Sequence, residues 1–306
     1  MSALTKVMVS PHIHSGRSTA GIMRDVLIAL LPATVAGTLI FGWRSLLVVA
    51  VCIVSCVAFE ALFNVITKKD YQTVGDLSAA VTGMLLALNL PVNVPIWQCV
   101  VGSLFAIVVV KCLFGGIGLN LVNPAMTARV FMLVAFGALA QPAFPVDAVA
   151  GATPLSAEQL PSLLTLFLGN YGGAIGETCT AALLLGGLYL LVRRVITWQI
   201  PVVFMATVFV FSFFMEGFDA VRAVSMVMSG GVCIGAFYMA TDYTTSPPTA
   251  WGKAIFGLGC GLLTCLIRYF GIYPEGVSFA ILFMNILTPY IVRWTRYKVF
   301  AGGSQP

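Results

Sequence analysis

The stretch SAAVTGMLLALNLPVNVP, Ser78 to Pro95, decides how this chain is to be read. It begins as an apolar helix former and stops early, in a run that alternates Asn and Pro: Asn89, Pro91, Asn93, Pro95. A helix needs about 20 predominantly apolar residues to cross a bilayer, so the segment 77–90 is too short to cross untilted. The surrounding chain is nonetheless 59% hydrophobic and 9% charged over 306 residues, where an ordinary soluble domain is about a quarter charged. A short, interrupted helix in so apolar a chain predicts an all-α integral membrane protein with broken spans.

Outward from that stretch, apolar runs recur to both ends of the sequence. Candidate spans lie at about 24–41, 45–66, 77–90, 95–114, 124–140, 174–192, 197–214, 223–241, 251–270 and 277–293. Helices are the form expected, because lipid offers no partner to an unpaired backbone group. No separate soluble domain of normal size remains, so 1–306 reads as one membrane domain. Residues 1–25 lack the basic, apolar, small-residue order of a cleaved signal peptide, and the first run reads as a retained span.

The basic residues are unevenly divided between alternate loops. One side holds Lys6, Arg17, Arg24, Lys68, Lys69, Lys111, Arg193, Arg194, Lys253, Arg293, Arg296 and Lys298, which is twelve; the other holds Arg44, Arg222 and Arg268, which is three. Arg129 falls inside a span and is not counted. Cytoplasmic loops concentrate Lys and Arg, so both termini are expected in the cytoplasm and the loop 141–173 on the outer face. The formal charge of +5 is then explained by topology and asks for no nucleic-acid partner.

Ten spans divide into two fives, 1–140 and 174–306, on either side of the outer loop. SAAV at 78–81 resembles SGGV at 229–232, and each opens a segment ending in a polar, Pro-containing break, NLPVNVP at 89–95 and TDYTTSPP at 241–248. Because five is odd, such a repeat would place its second half upside down relative to the first. Inverted repeats with interrupted helices in matching positions are how many transporters build a midplane site.

Polar residues at membrane depth are costly and are usually paired or functional. Glu60, Asp76 and Glu177 are candidates for an ion path, with Asn120 and Asn123 as a polar lining. Glu60 and Lys111, near helix ends, are expected to snorkel to the interface. Glu177 is expected to begin the sixth span. Arg129 follows NPAMTA near the cytoplasmic start of its span and is a candidate for binding an anionic or phosphate group. GGIGLNLVNPA, Gly115 to Ala125, reads either as a tight connector or as a loop that wraps a ligand; it lacks the spacing of a dinucleotide fingerprint. The eight cysteines sit in or beside apolar runs and form no C-x-x-C pair, which reads as packing. His12 and His14 have no third ligand nearby, so no metal site is expected.

The outer loop carries DAVAGATPLS, Asp147 to Ser156. Thr153-Pro154 suits a helix N-cap followed by Pro at the first helical position, and Ser156-x-x-Gln159 an overlapping capping box. The alternative is a threonine hydroxyl presented between small residues for covalent modification.

Six blocks now resemble a known family: SPHIHS at 10–15, IMRDVLIALLPA at 22–33, FGGIGLNLVNPAM at 114–126, DAVAGATPL at 147–155, TDYTTSPPTAWGK at 241–253 and YPEGVSFAILFMN at 273–285. The chain resembles the family that unites the D subunits of Rnf ferredoxin:NAD+ oxidoreductases, which pump Na+ or H+, with the B subunits of Na+-translocating NADH:quinone reductases. Its length is closer to the Rnf members. The resemblance implies two inverted five-helix repeats like those of ammonium and urea channels. It implies FMN held by a phosphoester on Thr153, in a motif that includes Asp147, Gly151 and Ala152, installed by a flavin transferase. Many members have Ser before Gly-Ala-Thr where this chain has Ala150. Related subunits also hold non-covalent riboflavin. A six-subunit complex in the bacterial cytoplasmic membrane is implied, whose membrane iron–sulfur cluster lies between other subunits. Two other readings are a channel-like transporter and a scaffold that passes neither electrons nor ions.

Overall fold

The computed structural model describes residues 18–68, 75–137, 161–271 and 276–295. Every expected span is met by helix: α1 Thr19–Phe41, α2 Trp43–Thr67, α3 Ser78–Leu88, α4 Ile96–Cys112, α5 Pro124–Phe136, a short α6 Leu163–Leu168, α7 Thr180–Val192, α8 Gln199–Met215, α9 Ala220–Met228, α10 Val232–Met239, α11 Ala250–Phe270 and α12 Val277–Thr295. By length and composition four of these can cross a membrane, α1, α2, α11 and α12; α9 and α10, bent by 63° at the Ser229–Gly231 break, make a fifth if the pair is counted as one span. The protein is a multi-pass membrane protein, and its secondary-structure elements among the described residues are all helices.

Local chemistry sets the helix starts. Ser18 caps α1 by accepting from the Gly21 N–H, and Thr249 caps α11 by accepting from Gly252. Asn123 accepts from the N–H groups of Ala125 and Met126, with Pro124 at the first turn, where a missing donor costs nothing. The last turns of α4, from Phe105, and of α10, from Gly235, widen to π-helix, a geometry that often marks functional positions.

Two layers follow from burial. All of α10 and all of α3 except Ala80 are buried, which is what a short helix apolar on every face requires. Around them α2 packs on α3 and α4, α8 on α9 and α11, α11 on α12, and α1 on α7. Outward faces stay apolar, with Leu39, Ile66 and Val192 all strongly exposed. In water such a surface would aggregate; in lipid it is the solvated face. The five tryptophans, Trp43, Trp97, Trp198, Trp251 and Trp294, are all exposed near helix ends, as in an interfacial aromatic belt.

The short helices pose a problem that the next element solves. α3 ends among buried residues, where its last carbonyls have no water. The segment 174–178, Ala-Ile-Gly-Glu-Thr, lies buried against that end. The Gly176 N–H donates to the Leu88 carbonyl at 2.7 Å and the Ile175 N–H to the Leu90 carbonyl at 3.1 Å. Approach this close needs glycine, since a Cβ on Gly176 would stand 2.6 Å from Leu88 Cβ. This corrects one expectation: Glu177 does not begin the sixth span but lies in irregular backbone before α7 starts at Thr180. Tyr238 of α10 ties the centre to two flanking helices, donating its hydroxyl toward the Ala29 carbonyl of α1 and the Leu183 carbonyl of α7.

Gly176→Ala is expected to lower stability by about 1–3 kcal/mol through overpacking against α3. A reduced thermal midpoint of the detergent-purified protein would show it; an unchanged midpoint would mean that segment 174–178 is not seated there.

Candidate functional site

Three features gather the buried polar groups: a cavity, a lysine cluster at its wall and an arginine cluster behind it. The cavity, of about 100 Å³, opens between the two halves of the chain and is lined by Ser78, Thr82, Lys111, Asn120, Asn123, Phe237, Tyr238 and Tyr243 among others. Its rim includes Met23 near the start of α1 and Val195 just after α7. Both belong to the end of the molecule where Arg193 pairs with Asp25 at 3.2 Å. Asp242, also in the wall, accepts from the Thr244 backbone and hydroxyl; desolvation pushes its carboxyl above the usual range, against those bonds.

Lys111 is the largest fully buried side chain among the described residues, 2% exposed. Its ammonium donates to Glu60 Oε1 and to Ser78 Oγ, both at 2.5 Å. Asp76 accepts from the Ser78 N–H at 2.7 Å and from the Ser78 hydroxyl. Glu60 and Asp76, distant in sequence, are thus joined through one lysine and one serine. The expected snorkelling does not occur: both Glu60 and Lys111 are buried, because the α2–α3–α4 packing places each within reach of the other. Desolvating a charge is costly unless it is paired, and losing one partner of a buried pair costs about 3–5 kcal/mol.

Arg129 forms the second cluster. Its guanidinium donates to Glu177 Oε1 at 2.8 Å, to Asn89 Oδ1 at 2.9 Å and to Ser278 Oγ at 3.2 Å. These partners come from the irregular segment before α7, the end of α3 and the start of α12. A Cβ on Gly231, at the break between α9 and α10, would stand 3.0 Å from Glu177 Oε1 and 3.5 Å from Arg129 Nη1. The arginine that the sequence offers to a phosphate is therefore engaged inside the protein, where four chain interruptions meet.

Asn123 links cavity and centre. Its Oδ1 caps α5 while its Nδ2 donates to the Met239 carbonyl at 3.4 Å, at the end of α10. Asn120 lines the cavity, and its Oδ1 is buried without a hydrogen-bond partner among the described residues. The connector 115–123 thus lines a cavity as well as joining two helices.

Asp147, Gly151, Ala152 and Thr153 lie outside the described residues, as do His12 and His14. Of the eight free cysteines, seven are buried and Cys179 is partly exposed. The sequence singled out the acids and Arg129 but not the neutral partners that organise them. Ser78 and Gly231 were visible only as repeat marks, and Ser278 only as part of a resembling block.

Comparison with known proteins places this arrangement. The NQR2, RnfD, RnfE family model matches residues 6–301. The chain is 48% identical over 305 residues to the D subunit of the Na(+)-translocating ferredoxin:NAD(+) oxidoreductase complex of Acetobacterium woodii, covering 96% of this chain and 94% of that protein. It is 40% identical to the D subunit of the proton-translocating ferredoxin:NAD(+) oxidoreductase complex of Clostridium ljungdahlii, over 94% and 93% of the two chains. It is 35% identical to the D subunit of the ion-translocating oxidoreductase complex of Halorhodospira halophila, over 97% and 96%. The chain belongs to the NQR2, RnfD, RnfE family.

Proposed function

We propose that this chain is the membrane D subunit of an ion-translocating ferredoxin:NAD+ oxidoreductase complex, with FMN bound covalently to Thr153 as an electron relay. The observation that carries the reading is the nearly full-length similarity to the Acetobacterium woodii protein of that complex. The attachment rests on the sequence DAVAGATPL, in which Thr153 offers the hydroxyl, Gly151 and Ala152 are the small residues before it and Asp147 belongs to the transferase's recognition pattern. The flavin ring would supply the electron chemistry while the protein supplies position and polarity. The complex is assigned to the bacterial cytoplasmic membrane, with five further subunits as partners and a flavin transferase for maturation. The twelve-to-three distribution of basic residues supports cytoplasmic termini and an outer flavin loop.

An inverted five-helix repeat of the ammonium- and urea-channel type is part of this reading. It is supported by the match of α3 with the α9–α10 pair. Lys111, late in α4, reaches the serine that opens α3, and Arg268, late in α11, donates to the Ser229 carbonyl at the break before α10. α1 packs on α7 and α5 on α12, contacts that agree with a two-fold relation between halves.

Non-covalent riboflavin would need the cavity of about 100 Å³ to widen, and the lining offers groups that a flavin uses. The unpaired Asn120 oxygen would accept from an N–H edge, and Phe237 and Tyr243 offer aromatic surface. Glu60, Asp76, Asn120 and Asn123 are assigned to the cytoplasmic part of an ion path. Glu177 stands apart from them, bound to Arg129.

Peptide mass spectrometry of protein made with its flavin transferase should find an FMN increment on the 141–173 segment that Thr153→Ala abolishes; an unmodified wild-type peptide would return Thr153 to the role of helix cap. Asn120→Ala is expected to lose any acid-extractable flavin while keeping the covalent one, and equal extractable flavin in both proteins would move riboflavin elsewhere. Replacing the charged pair together, Glu60→Gln with Lys111→Met, should spare folding and depress redox-driven ion uptake by roughly tenfold or more, as intramembrane ionisable groups on ion paths do. Unchanged uptake would remove Glu60 from the path.

A further inference from the structure

The arginine cluster lies behind the cavity, and its position has a consequence for ions. The cavity is lined in part by Asn123 and Ala125 on α5 and its cap. Asn123 bonds the Met239 carbonyl at the end of α10, and Arg129, one and a half turns further along α5, bonds Asn89 at the end of α3. The C-terminus of α3, whose carbonyls carry partial negative charge, therefore meets Arg129, which also stands beside Gly231 at the break before α10, while the C-terminus of α10 is met by Asn123. Among inverted-repeat transporters, unwound carbonyls and half-helix C-termini are where cations are coordinated. Here that place is filled from within by a guanidinium.

We infer that Arg129, held by Glu177, Asn89 and Ser278, is a fixed electrostatic seal that denies cations a passive route through the centre of this protein. The inference rests on the reading above that the chain belongs to an ion-translocating membrane complex. Arginine is suited to the task because it stays protonated in proteins. Pores exclude protons and cations with a positive side chain at a constriction in the same way. Glu177 makes the pair net neutral at a distance, so the barrier is the local one of the guanidinium it fixes by a 2.8 Å bond, in the segment that itself closes the end of α3. Glycine at position 231 leaves the room in which the pair is seated. An ion entering the cavity past Glu60 and Asp76 then has no straight exit, and transport must leave sideways, where the chain meets its neighbours in the complex.

The test uses the whole purified complex in proteoliposomes. Passive 22Na+ efflux and pyranine-reported proton leak are measured without ferredoxin, and ferredoxin-driven uptake is measured in parallel. Wild type should be tight. Arg129→Met combined with Glu177→Gln, which removes both charges and so leaves no unpaired charge, should raise passive leak of Na+, H+ or both by roughly tenfold or more. Arg129→Lys, which keeps the charge, should remain near wild type. A double variant with normal flavin content that is as tight as wild type would overturn the seal. So would an Arg129→Lys complex that leaks as the double variant is expected to, and this second arm decides the matter if the double variant does not assemble. Absence of ferredoxin-driven uptake in wild type would instead count against the functional reading, since the leak measurements do not depend on it.

Discussion

Unpaired backbone at the end of a helix is cheap in water and costly in lipid, and this fold is organised around two helices that end inside it. α3 stops at Leu88 and α10 at Met239, both among buried residues. Each unsatisfied carbonyl there would cost several kcal/mol in a medium without water. The donors that answer them come from elsewhere in the chain: the Gly176 and Ile175 N–H groups for α3, and the Asn123 side chain for α10. The irregular segment 174–178 and the connector 115–123 are therefore structural members of the core. Their positions fix Glu177 and Arg129 as neighbours.

Much of this could be read from the sequence, and what could not has a physical reason. Apolar length and the Asn–Pro break after Leu88 give the helices and the interruption, since both depend on local composition. The SAAV and SGGV matches mark the two breaks for the same reason. Pairing between elements is a different matter. Glu60 and Lys111 lie 51 residues apart, and each alone, near a helix end, reads as a side chain that reaches for the interface. Only the packing of α2 against both α3 and α4 makes burial together the better outcome. Arg129 likewise reads as free to bind a phosphate until α3, α12 and the 174–178 segment deliver three acceptors to it. Gly172, Gly173 and Gly176 are local signs of irregular backbone before Glu177, but the apolar run that begins within three residues of it draws the acid into the helix when the sequence is read alone.

The two clusters also show why the same problem has been solved with different cations. Lys111 is a point charge on a flexible stem, sufficient for one carboxylate and one hydroxyl on the wall of a cavity. Arg129 must hold an amide, a hydroxyl and a carboxylate that arrive from three separate elements. A planar fork of five donors can meet acceptors in several directions at once without giving up its charge, and an ammonium meets that geometry less well. Where the groups to be joined lie on adjacent helices a lysine is enough. Where the interruptions of both halves converge, only the guanidinium offers the number and spread of donors that the acceptors demand.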